Sequence, residues 1–85
     1  MPETRYFLAE PVLTALFALR DHDCQMLLAV FDQIAEDPRA AADSMGRDWD
    51  GRSVYVMRFG QFEIGYLIAP NTETVTFTLL RPRRN

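Results

Sequence analysis

Residues 53–80 hold three runs that alternate apolar and polar with period two: Ser53–Phe59, Phe62–Ala69 and Thr74–Leu80. The connections between them are too short for a parallel crossover, so the segment predicts a three-stranded antiparallel meander. Gly60 falls in the first connection, Pro70-Asn71-Thr72 in the second, and Asp50-Gly51 just before the first strand, all residue types that turns select. On the middle strand Phe62, Ile64, Tyr66 and Ile68 share one phase, and on the last strand Val75, Phe77 and Leu79 do so. These are the expected buried positions. The opposite phase carries Gln61, Glu63, Gly65 and Leu67, then Thr74, Thr76 and Thr78, so the second face is expected to stay open or to meet a partner. The last run leads into Arg81-Pro82-Arg83-Arg84.

Upstream the period changes. Thr4–Leu8 is short and rich in β-branched and aromatic residues, predicting a first strand, and Pro11 suits the first turn of the helix that follows. Val12, Leu13, Leu16, Phe17 and Leu19 form a helical stripe ending near Arg20, where Asp21 or Asp23 is expected to cap a second helix. That helix presents Cys24, Leu27, Leu28, Phe31, Ile34 and Ala35 on one face and stops at Asp37-Pro38, which predicts a helical hairpin against the sheet. A third, shorter helix is expected to open at Pro38 and run through Arg39–Asp43, with Asp37 as its cap and Gly46 available to end it. Trp49 is expected to fill the seam between helices and sheet. The predicted class is α+β: a short N-terminal strand, a two-helix hairpin with a short third helix, then the meander, as a single domain over residues 1–85.

With 85 residues, 48% of them apolar, the chain has room for only a thin core, and a partner would add much to its stability. No apolar run approaches the roughly 18 residues of a membrane-spanning helix, and the Met1-Pro2-Glu3 start lacks the features of a signal peptide, so a cytoplasmic protein without a membrane partner is expected. One cysteine, Cys24, and one histidine, His22, give no internal disulfide and no soft ligand set for zinc; they read as core filler and turn residue, and no cofactor is expected.

The net charge of −3 is unevenly spread, with residues 1–46 at −5 and residues 47–85 at +2. There is no lysine, so every basic side chain is a planar fork suited to carboxylate, phosphate or base-edge recognition. An acidic whole argues against diffuse nucleic-acid binding and leaves only local contacts.

The order strand, helix, helix, meander, together with three local motifs, resembles the RelE/ParE superfamily of bacterial toxins from type II toxin–antitoxin modules. Gly60-Gln61-Phe62-Glu63-Ile64-Gly65-Tyr66 is similar to the family's glycine, variable residue, aromatic, usual arginine, two apolar positions and tyrosine. Ala35-Glu36-Asp37-Pro38 stands at the place of the family's Asp/Asn-Pro after the second helix, and Arg83-Arg84 at the place of its closing basic pair. The resemblance implies a growth-inhibiting toxin of the kind linked to plasmid stabilisation. Its target would be DNA gyrase or the translating ribosome, a cognate antitoxin would neutralise it, and the assembly would be a homodimer or a toxin–antitoxin hetero-oligomer.

Departures from the pattern shape the expected activity. Members that cut messenger RNA on the ribosome use the arginine after the aromatic, further basic residues and a terminal tyrosine, whereas this chain has Glu63 there and no tyrosine after Arg84. As a ribosome-dependent endoribonuclease it would rely on Arg58, Arg83 and Glu63, a carboxylate serving as base only with a cation to hold the transferring phosphate. Gyrase-poisoning members often lack that arginine and keep the terminal pair, which Leu79-Leu80-Arg81-Pro82-Arg83-Arg84 resembles. A third expectation is a non-toxic member retained as a binding module. Target or nucleic-acid contacts are expected from Arg52, Arg58, Arg81, Arg83 and Arg84. The plainer roles are solvated arginines, a Glu63 paired with a nearby arginine, and Tyr55 and Tyr66 packing their rings in the sheet.

Overall fold

The computed structural model describes residues 6–47 and 50–83. Strand β1 (Tyr6–Leu8) is followed by helices α1 (Glu10–Phe17), α2 (Asp21–Glu36) and α3 (Pro38–Ala41). Strands β2 (Ser44–Arg47), β3 (Ser53–Phe59), β4 (Phe62–Ile68) and β5 (Val75–Pro82) complete the chain. The class is α+β. The sheet has five strands in the order β1-β5-β4-β3-β2, antiparallel except for β1, which lies parallel to β5.

The expected three strands are thus the middle of a wider sheet, and β2 is the element the sequence pattern did not announce. Ser44-Met45-Gly46-Arg47 has no apolar alternation, and all four residues are exposed; the strand is held by its pairing to β3 rather than by burial. Gly46 therefore does not end α3, which stops at Ala41 before an extended Ala42 (φ −71°, ψ 135°). Asp43, expected inside that helix, instead bridges to β3. Its N–H donates to the Val56 carbonyl (2.8 Å), and its Oδ2 accepts from the Arg58 N–H (2.6 Å). Asp37 does cap α3, accepting from Ala40 N–H at 3.5 Å.

α1 and α3 are shorter than the pattern suggested, α2 stops before Asp37-Pro38 as expected, and the N-cap of α2 differs. Arg20, not Asp21 or Asp23, is the N-cap of α2, and it makes no side-chain capping bond; the two aspartates lie in the first turn, where they face the positive end of the helix dipole. With α1 ending at Phe17, only Val12 and Leu16 are buried. Leu13 and Phe17 sit one position round the helix, and Phe17 is 84% exposed. From α2 the buried residues are Leu27, Val30, Phe31 and Ile34.

These side chains meet Ile64, Tyr66, Val75, Phe77 and Leu80 of the sheet in one buried cluster. Phe31 stacks on Phe77 at 4.2 Å between ring centroids, with Tyr6 edge-on to both. Tyr66 is fully buried and donates its hydroxyl to the Pro38 carbonyl at 2.6 Å, tying the middle strand to α3. Burial, with the Asp43 carboxylate next in effect, pushes the Tyr66 phenol up to about 12.

One correction bears on the face away from the helices. A β-bulge at Gly65/Tyr66 slips the pairing, so that Gly65 faces Leu79 and Tyr66 faces Phe77, leaving Thr78 unpaired. Leu80 rather than Leu79 enters the core, and Leu79 lies over Gly65, where an added Cβ would come within 2.9 Å of the leucine's own Cβ. The expected seam residue Trp49 lies outside the described residues.

Candidate functional site

The bulge keeps Arg81 on the outer face of the sheet, directly opposite Glu63, and Glu63 in turn faces Arg58 across β3. Three adjacent strands so carry a cation, an anion and a cation in one row, with directly opposed Cβ atoms about 5 Å apart. Arg83 joins them from beyond β5, its N–H donating to Gln61 carbonyl (2.7 Å) and its Nη1 to Gly60 carbonyl (3.1 Å). Gly60 itself takes φ +58° in the β3–β4 turn, a conformation glycine adopts without steric cost, and this aims its carbonyl at Arg83. Arg58, Glu63, Arg81 and Arg83 line an open recess of about 290 Å³.

Within the recess the charges do not cancel. Arg81 donates from Nε (2.9 Å) and Nη2 (2.6 Å) to a single oxygen, Oε1 of Glu63. Arg83 bonds only to neutral carbonyls, and the Arg58 guanidinium makes no hydrogen bond or ion pair among the described residues. Among the described residues, three guanidinium groups against one carboxylate leave a local excess of two positive charges on a chain of net charge −3. Such an arrangement can receive an oxyanion bidentately.

Of the residues nominated from sequence, the structure brings Arg58, Glu63, Arg81 and Arg83 together. It does not bring Arg52 to them. Arg52 precedes β3 at the far end of the strand, about 20 Å from Arg58 at the usual rise per residue, where it pairs with Asp50 at 3.1 Å. Arg84 lies outside the described residues. Glu63 is the partner of a nearby arginine, Arg81. The sequence reading missed Asp43, whose carboxylate accepts from the Arg58 N–H; the pattern places it at the end of the third helix, and its only signal was the acid type at that helix end. Among the described residues no group of three or more histidine, cysteine, aspartate or glutamate side chains could hold a metal ion. No helix among them is long and apolar enough to cross a membrane.

Comparison with protein-family models, with curated proteins and with solved structures finds no match to this chain.

Proposed function

We propose that this protein is a divergent toxin of the RelE/ParE kind that acts in the cytoplasm. It binds and inhibits a macromolecular machine, DNA gyrase or the translating ribosome, through the arginine end of its sheet, and a cognate antitoxin neutralises it. The observation that carries this reading is the recess itself, in which two guanidinium groups without a carboxylate partner among the described residues stand beside a sheet face that the helices leave uncovered. The local excess of positive charge suits a phosphate- or carboxylate-bearing surface, while the acidic remainder of the chain limits contact to this end.

A messenger-cutting activity is the second reading, favoured by Arg58 and Arg83 lying in one recess with a carboxylate. It is the weaker one, because Oε1 of Glu63 is already taken up by Nε and Nη2 of Arg81 and is not open to a substrate proton. That same pairing suits a non-toxic binding module. Induction of the chain in bacteria without its antitoxin is expected to arrest growth, with purified protein blocking gyrase supercoiling or translation. Unimpaired growth would remove the toxin reading, and new messenger cuts that vanish in Arg83→Ala would move it to the nuclease.

A further inference from the structure

The recess at the arginine end already contains an anion of the chain's own. We infer that Glu63 is an internal counter-ion masking a phosphate site: a phosphate dianion, free or as the terminal phosphate of a nucleic acid, enters by displacing the Glu63 carboxylate from Arg81. The guanidinium groups of Arg58, Arg81 and Arg83 then share its oxygens. This inference rests on the binding role proposed for this end and adds to it the ligand class and the residue that limits affinity.

Three observations carry it. Nε and Nη2 of Arg81 converge on one oxygen of Glu63, and with the side chain 61% exposed the guanidinium keeps further N–H donors for a second anion. Glu63, at 19%, is the less exposed partner, so an incoming anion reaches the pair from the Arg81 side. Register places Arg58 and Arg81 on either side of Glu63, so cations reach the position now held by the carboxylate from two strands. Arg83 keeps its full charge beside them, since its side-chain partner is the neutral Gly60 carbonyl.

The choice of phosphate over carboxylate follows from exchange. An incoming carboxylate replaces Glu63 with its own equivalent, gaining no charge and losing translational freedom. A phosphate group with a charge of about −1.5 to −2 gains over the carboxylate it displaces, and its tetrahedral oxygens can be met from both flanking strands at once.

Titration calorimetry at low salt tests this with inorganic phosphate, with a 5′-phosphorylated oligonucleotide and its dephosphorylated twin, and with a hexaglutamate peptide. Glu63→Gln is expected to tighten inorganic phosphate about tenfold, and the gain is expected to vanish in Glu63→Gln/Arg58→Ala. Arg81→Gln, which leaves Glu63 in the recess without its partner, is expected to weaken phosphate by a similar factor. A gain shared by the phosphorylated oligonucleotide but not its twin assigns the terminal phosphate of a nucleic acid; a gain for inorganic phosphate alone assigns a free ion, and either supports the mask. A folded Glu63→Gln protein with unchanged phosphate affinity overturns it, as does a hexaglutamate gain equal to that of phosphate. Should Glu63→Gln not fold, an Arg81→Gln protein that binds phosphate as tightly as the parent overturns it alone. Loss of the growth phenotype with this titration intact would remove the toxin reading and leave the site.

Discussion

The two ends of the sheet each hold a recess lined by arginines, and they differ in charge balance. At the β3–β4 turn, Arg58, Arg81 and Arg83 surround a single carboxylate, Glu63. At the opposite end Arg39 and Arg52 line a second recess with Tyr55, Leu67 and Pro70, but each has its own acid: Arg39 pairs with Glu73 at 3.0 Å and Arg52 with Asp50 at 3.1 Å. Exposed pairs such as these contribute little stability, but they neutralise locally. A recess, an aromatic ring and two arginines do not make an anion site when acids match them one for one. Unmatched guanidinium groups do, and of these two recesses only the one at the β3–β4 turn is lined by them.

Charge reversal gives the largest expected contrast. Arg58→Glu is expected to weaken binding of phosphate-bearing ligands about a hundredfold, whereas Arg39→Glu at the matched end should leave it within about twofold by direct titration; equal losses would erase the distinction between the ends. The next effect bears on the matched end through Tyr66, which anchors β4 to Pro38 beside Arg39. Because the folded state holds the Tyr66 phenol at about 12 against an ordinary value of 10.0, its contribution is complete below pH 10 and is lost as pH rises through 12. Denaturant midpoints are expected to report a loss of roughly 2–3 kcal/mol over that interval. Tyr66→Phe should flatten this pH dependence while costing about 1–2 kcal/mol at neutral pH, since the Pro38 carbonyl loses its donor.

Gly65→Ala probes what aligns the unmatched end. Its Cβ would meet the Leu79 Cβ at 2.9 Å, so a destabilisation of roughly 1–3 kcal/mol is expected, together with weaker phosphate binding as Arg81 shifts against Glu63. Thermal melts and titration of the same protein separate the two effects. The smallest expected change is at Glu73, the one described non-glycine residue with positive φ, at 57°. Glu73→Gly relieves that strain but breaks the pair with Arg39, so stability should move by less than about 1 kcal/mol. Phosphate should then gain a weak second site beside the newly unmatched Arg39.

Much of the fold was legible because period-two alternation on Ile64 and Tyr66, with Phe62 packed at their edge, and helical spacing on Leu27, Phe31 and Ile34, both report burial directly. β2 was not legible, since Ser44–Arg47 buries nothing and depends on β3 for its hydrogen bonds. Nor was the bulge, which brings Leu80 inward and leaves Leu79 against Gly65; it is a relation between two strands, and a single strand's pattern does not contain it. Arg58, Arg81 and Arg83 could be nominated by residue type, but Arg52 could not be separated from them until register set it at the other end of β3. The Glu63–Arg81 pair follows from that same register.

The difference between the ends is measured most directly by following the arginine Nε–Hε signals of the isotopically labelled protein by nuclear magnetic resonance as inorganic phosphate is added. The account predicts saturable shifts at Arg58, Arg81 and Arg83, with Arg39 and Arg52 unmoved. Saturable shifts at Arg39 and Arg52 of the same size, or none at Arg58 and Arg83, would contradict it.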